Sequence, residues 1–231
     1  MKKFTKYILF ISLGLLCSCS DYLDIVPDNV TTLDIVFNNK NTAQRYLANC
    51  YHFVPDHGSV KRIPGMGAGH ECWFYTDKDS YFDNEVSFYI ARGLQNTNAP
   101  YANYWDGEGG SKLPMFRAIR ECNIFLSYVR DQHKVNDLTD SERKRWIAEV
   151  NVLKAYYHFF LFEHYGPIPI VDEALPVSTS SEGVKVTRMP VDQVVDFMVK
   201  LIDDSYKDLP PVITMEAVSY THLRAHETRG N

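Results

Sequence analysis

The chain contains no C-x-x-C pair, no G-x-G-x-x-G run and no H-E-x-x-H, so the readable signatures of thiol redox centres, zinc clips, dinucleotide cradles and zinc proteases are missing. It also has no apolar run of the roughly 20 residues that a spanning helix needs, since its longest stretch, Tyr7 to Leu16, is ten residues. Positive charge is in short supply: the formal net charge is -5, which disfavours nucleic acid and anionic lipid as partners. Tryptophan is scarce too, with 3 residues against 15 tyrosines and 13 phenylalanines. What is present is enough apolar material for a core, 45% of residues, and an aromatic content of 13% weighted toward the amphipathic tyrosine.

The N-terminus reads Met1, Lys2, Lys3 and Lys6, then the apolar run, then small residues, which is the pattern of a secretory signal. A cut after Ser18 puts Leu16 three residues before it and makes Cys19 the first residue of the mature chain. That Leu-x-Ser-Cys spacing resembles the lipobox of bacterial lipoproteins, in which the cysteine sulfur carries diacylglycerol. One acyl chain holds a protein marginally and two or three hold it stably. The alternative is an ordinary cleaved signal that leaves a free Cys19. Loss of the three lysines takes the charge of the mature chain from -5 to about -8. Cys17 departs with the signal, and once Cys19 is acylated Cys50, Cys72 and Cys122 remain. That odd count argues against a disulfide framework and for small buried hydrophobes.

Four segments carry helical periodicity. Ala43, Tyr46, Leu47, Cys50 and Val54 predict a helix that runs to Pro55. Met115, Ala118, Ile119, Cys122, Phe125, Leu126 and Val129 predict a second helix after Pro114. Thr139 and Glu142 form a capping box for a third, lined by Trp146, Val150, Leu153, Tyr157 and Leu161 and ended by Gly166-Pro167. A fourth, with Pro190 in its first turn, is expected to bury Val191, Val194, Val195, Met198 and Ile202 and to stop before Pro210-Pro211. Tyr156, Tyr157, Phe159, Phe160 and Phe162 surround the third helix, which predicts burial on every side in a body larger than four helices supply.

Between the first two helices, residues 55–114 predict a long irregular stretch with eight glycines, and ten aromatics fall between Trp73 and Trp105. Long structureless connections are functional or disordered, and this aromatic content argues against disorder. Trp73, Tyr75, Tyr81, Tyr101, Tyr104 and Trp105 are the candidate ligand-contacting residues, offering ring faces on which the C–H face of a sugar can stack. Each ring also has the simpler role of packing the loop onto the helices. The glycine-rich insert DGEGGSKLP separates Trp105 from the second helix.

Other chemistry finds less support. GMGAG, Gly65 to Gly69, follows no predicted strand and makes a poor phosphate cradle. His158, Glu163 and His164 are metal-capable, but positions six apart on a helix face different ways, which favours packing roles. Asp77, Asp79, Asp83 and Glu85 lack the glycine and alternation of a calcium loop. Carboxylates for glycoside hydrolysis are plentiful, and nothing in the sequence selects a pair. No catalytic residue, metal site or cofactor is expected.

Four motifs in order resemble the RagB/SusD family of outer-membrane lipoproteins. They are CSDYLDIVP from Cys19, RAIRECNIFL from Arg117, WIAEVNVLKAYYHFFLFEHYGPIPI from Trp146, and RMPVDQVVDFMVKLIDDSYKDLPP from Arg188. The resemblance implies an all-α fold of tetratricopeptide-like helix pairs with a long aromatic-rich loop region, present here as the N-terminal portion only. It also implies a lipid-anchored, surface-exposed protein of the outer membrane, anchored at Cys19, that binds oligosaccharide and delivers it to a SusC-like TonB-dependent transporter without catalysis. A peptide cargo, or a secreted helical-repeat scaffold for a protein partner, are the alternatives. Residues 1–18 are read as the signal, 19–217 as the helical domain, and 218–231 as a tail foreign to the family, because SYTHLRAHET resembles translated adaptor sequence. In that tail His222 and His226 stand at i and i+4, but Glu227 is not between them as a zinc protease requires.

Overall fold

The computed structural model describes residues 32–59, 63–69, 85–108, 112–174 and 186–211. The chain divides into two compact units, Met1–Ile35 and Val36–Asn231, and of the first only residues 32–35 are described. The described residues are helical, with no strand: α1 (Leu33–Val36), α2 (Lys40–Tyr51), α3 (Pro64–Gly67), α4 (Val86–Ala91), α5 (Met115–Val129), α6 (Asp140–Tyr165), α7 (Val191–Asp203) and a 3-10 turn at Tyr206–Asp208. The 55–114 stretch is therefore not wholly irregular, since it holds the short helices α3 and α4.

Helix α2 begins where the Asn39 side chain accepts from Thr42 N at 3.1 Å. It ends at Tyr51, earlier than the apolar stripe implies, and Val54 lies beyond it. The cause is Pro55, which disfavours helical backbone at the residue before it, so the chain tightens through His52 N to Asn49 O and Val54 N to Tyr51 O, both at 3.1 Å. Helix α5 starts directly after Pro114 and buries the whole expected stripe from Met115 to Val129.

Helix α6 carries the capping box: Thr139 Oγ1 accepts from Glu142 N at 3.3 Å, and Glu142 Oε2 accepts from Thr139 N at 3.1 Å. Asp140 and Glu142 add negative charge at the positive end of the helix dipole. The other end is Gly166, whose φ of 68° and ψ of -128° suit a residue without Cβ. Contacts from Phe125 to Trp146 and from Val129 to Arg143 show that α5 and α6 run antiparallel as a hairpin. Contacts from Asn151 to Ser205 and from His158 to Phe197 show that α7 returns antiparallel to α6. The fold is all-α, built of tetratricopeptide-like helix pairs.

The turn between α5 and α6 is organised by one buried cation. Arg143 donates to the carbonyls of Val129 (2.5 Å), Asp131 (3.2 Å), Lys134 (3.0 Å) and Val135 (3.0 Å). Val135 has a φ of 50°, a costly conformation for a β-branched residue. It is held there by that guanidinium and by its own N–H, which donates to Phe37 O at 3.1 Å.

The core lies where α2, α5 and α6 meet, with Phe37, Phe125, Trp146, Tyr157 and Phe160 at 0–1% exposure. Full burial of an aliphatic or aromatic side chain stabilises by about 1.5–3 kcal/mol. At its edge the described helices leave apolar faces uncovered. Helix α6 is not enclosed on all sides: Tyr157 and Phe160 are interior, but Tyr156 and Phe162 are half-buried and Phe159 is 48% exposed. Helix α7 is capped by Pro190 rather than containing it, and buries only Val194 and Met198. Val191, Val195, Val199 and Ile202 stay 37–49% exposed, because α6 meets a single stripe of α7 and the described residues put nothing over the adjoining one.

A polar seam ties the segment after α6 back to the helices. Lys154, fully buried, donates to Asp172 Oδ1 at 2.5 Å and to Asp172 O at 2.7 Å. His158 Nδ1 donates to Lys154 O at 2.7 Å, which leaves Nε2 to accept from Val171 N at 3.5 Å. Asn123 Nδ2 donates to Val171 O at 3.0 Å.

Candidate ligand-binding surface

Of the six aromatic candidates, Tyr101, Tyr104 and Trp105 are described, and Trp73, Tyr75 and Tyr81 lie outside the described residues. The lipid-anchor candidate Cys19 lies outside them as well. The segment that holds the three rings follows α4, which Ser87 pins by donating its Oγ to Ile63 O at 3.1 Å while Val86 and Phe88 are buried. Gly93 then reverses the chain at a φ of 71°.

The polar residues beyond Gly93 fold back on their own backbone. Gln95 Oε1 accepts from Tyr101 N at 2.8 Å and Ala102 N at 3.4 Å. Asn96 Oδ1 accepts from Asn98 N at 3.1 Å and Ala99 N at 2.8 Å. These local bonds set the loop without a core of its own. They also set the Tyr101 ring parallel to Tyr89, with centroids 4.2 Å apart and planes within 19°. Both rings are half-buried. Tyr89 belongs to the aromatic run of the sequence, yet nothing local marks it as the partner of Tyr101, because the two are brought together by the Gly93 reversal.

Tyr104 is different in kind. It has no exposed surface and packs edge-on against Phe160 (5.0 Å) and His164 (4.7 Å). Its N–H donates to Tyr165 Oη at 2.9 Å, and burial pushes its phenol up. A ring with no accessible face cannot stack on a ligand, so Tyr104 anchors the loop to α6.

Trp105 lies between the two roles. It is half-buried against Phe116 (4.6 Å) and edge-on to Tyr165 (5.5 Å), with the Arg188 guanidinium 5.3 Å above its ring. Arg188 in turn donates to Pro167 O at 3.1 Å. Behind Trp105, Gly107 has a φ of 80°, and a Cβ there would meet Pro114 at 2.8 Å, so only glycine lets the insert close against the start of α5.

A cavity of about 140 Å³ lies nearby, lined by His52, Phe53, Val54, Asp56, Ile63, Lys112 and Leu113. His158 and His164 are committed through Nδ1 to the carbonyls of Lys154 and Phe160, each at 2.7 Å. Among the described residues no three metal-capable side chains gather, and no helix is long and apolar enough to cross a membrane.

The geometry defines an all-α protein that presents a tyrosine-faced loop on a helix-pair scaffold. The family model described as starch-binding associating with outer membrane, SusD-like, matches residues 21–224, and the chain belongs to that family. It is 21% identical to a SusD-like protein of Formosa agariphila over 238 residues, covering 99% of this chain and 42% of that protein. A solved laminarin-binding SusD-like protein superposes with a TM-score of 0.59 at 18% identity, over 78% of this chain and 36% of that one. A SusD-like protein from Bacteroides fragilis gives 0.57 at 16% identity, over 80% and 32%. The chain thus spans about two fifths of that curated relative and about a third of those solved chains.

Proposed function

We propose that this chain is part of a cell-surface lipoprotein that binds oligosaccharide and passes it to a SusC-like TonB-dependent transporter in the outer membrane, and that it catalyses no reaction itself. The observation that carries the reading is the match to a family described as starch-binding over residues 21–224. The partly accessible Tyr89–Tyr101 stack supports it, since flat tyrosine faces beside amide side chains suit the apolar face and hydroxyls of a sugar. In this reading Tyr101 and Tyr89 contact the ligand, and Trp105, Trp73, Tyr75 and Tyr81 are the further candidate contacts. Cys19 carries the lipid.

A tethered receptor raises the local concentration of its ligand beside the transporter without breaking a bond. Isothermal titration of the full chain against a glycan panel that includes laminarin tests the cargo. Saturable binding of a glycan, recovered intact afterward, is expected. Binding of peptides with no response to any glycan overturns the sugar assignment, and release of shortened products overturns the non-catalytic one. Co-purification of a TonB-dependent transporter checks the partner, and a different stable protein partner in its place favours a scaffold.

A further inference from the structure

Helix α4 ends in a Schellman motif: Leu94 N donates to Tyr89 O and Gly93 N to Ile90 O, each at 2.9 Å, with Gly93 in the left-handed region at a φ of 71°. The next residue continues the hold with its side chain. One atom of the Gln95 amide faces two backbone N–H groups, those of Tyr101 at 2.8 Å and Ala102 at 3.4 Å, so that atom is the carbonyl oxygen and the amino group is turned away from them. Leu94 and Gln95 thus hold the main chain at both members of the Tyr89–Tyr101 stack. Bonds to the N–H groups on either side of the Tyr101 Cα fix where its Cβ points. Residues 93–99 are all exposed, so these bonds, and no buried apolar side chain of that stretch, seat the loop.

We propose that Gln95 is a positioning residue of the sugar-binding surface: it touches no ligand and acts by holding Tyr101 aligned before the glycan arrives. The inference rests on the oligosaccharide reading given above. In a stack with centroids 4.2 Å apart each ring gives one face to the other, so a sugar ring can stack only on an outer face, and the inner contact keeps the pair in place. Rings aligned in the free protein spare the loop an ordering cost on binding. Without the Gln95 acceptor the loop samples other arrangements, and the apparent affinity falls with the fraction of chains in which Tyr101 is aligned. The two N–H groups released in this way lie in an exposed loop where water satisfies them, so the helices beneath are not disturbed.

The test is titration of the full chain with laminarin and the rest of the glycan panel, together with thermal melting, in Gln95→Ala, Gln95→Glu and each combined with Tyr101→Ala. Gln95→Ala is expected to weaken binding about fivefold with Tm within about 2 °C of wild type. Gln95→Glu keeps an acceptor for both N–H groups and should restore most of that loss. In the Tyr101→Ala background Gln95→Ala should add nothing, because it acts through the ring that is gone. Equal weakening by Ala and Glu, or losses that add to that of Tyr101→Ala, would show Gln95 donating to the glycan itself and overturns the positioning role, as does wild-type affinity in Gln95→Ala. Ring-current shifts of Tyr101 in the full chain with isotope-labelled tyrosine, assigned by their loss in Tyr101→Phe, read the stack without any glycan. A shift that collapses in Gln95→Ala and returns in Gln95→Glu, while wild type binds no glycan of the panel, supports the alignment of Tyr101 by Gln95 and defeats only the oligosaccharide reading. An unchanged shift in Gln95→Ala defeats the positioning role alone.

Discussion

Lys154 Nζ, with no exposed side-chain surface, lies 2.5 Å from Asp172 Oδ1, while the Asp172 side chain remains 63% exposed. The pair is lopsided. Burial lowers the Lys154 ammonium and the Asp172 bond raises it back in part. Partial burial raises Asp172, but the hydrogen bond and charge of Lys154 hold its carboxyl below the usual range. Removing the carboxylate leaves a buried cation with the backbone carbonyl of position 172 and the Phe197 ring 5.6 Å away, so Asp172→Ala is expected to cost about 2 kcal/mol, discounted for the solvation the carboxylate already has. Lys154→Met, which takes the charge away, is expected to cost less than about 1 kcal/mol. Urea unfolding of the full chain measures both, and equal losses would contradict the asymmetry.

His158 makes a second expectation, about pH. Burial, and secondarily the Lys154 charge, depress its pKa from 6.5 to about 4, against the hydrogen bond to Lys154 O. The unfolded chain therefore binds a proton that the folded one refuses between those two values. Its contribution is present above about pH 6.5 and is lost as pH falls toward 4, a change on the order of 3 kcal/mol. Glu142, held at about 2 by its hydrogen bonds to Lys40 and Thr139, adds an acid loss only below about pH 4.5. Urea midpoints from pH 7 to 4 should fall in wild type and flatten in His158→Gln once its lower baseline is subtracted.

At the start of α6, Thr139→Ala removes the hydroxyl that accepts from Glu142 N and donates to Glu142 Oε2, leaves the reciprocal backbone bond in place, and is expected to cost about 1 kcal/mol. Thr139→Ser keeps the hydroxyl and should lie within a few tenths of wild type by thermal melting.

The tyrosines three residues apart should separate cleanly. Tyr101→Ala is expected to weaken glycan binding about tenfold with Tm nearly unchanged, the loss of one stacking face. Tyr104→Ala empties a fully buried site and should cost about 3–5 kcal/mol. Calorimetry and titration on the same two variants check this, and the reverse pattern would exchange their roles.

These contrasts show what could be read from sequence. Helices α5 and α6 were legible almost to the residue, because a proline, a capping box and a terminal glycine punctuate strong apolar stripes. Val191, Val195 and Ile202 were not, since periodicity reports which face is apolar and not how wide a partner covers it. Tyr104 and Tyr101 look alike in sequence, and only the fold separates them by bringing Phe160 and His164 around one ring. Tyr89 was hidden because its relation to Tyr101 depends on the Gly93 reversal.

Arg143 puts its guanidinium charge on backbone oxygens alone in the bonds that join α5 to α6, those of Val129, Asp131, Lys134 and Val135. A guanidinium keeps its proton at any pH the protein meets, and an amide oxygen does not titrate there. These guanidinium bonds are therefore indifferent to acidity and the Glu142 cap beside them yields only below about pH 4.5, while the His158 seam titrates earlier. Acid would loosen the strap over the helices before it opened the joint between them, so the first structure lost on acidification is peripheral and the last is the α5–α6 elbow.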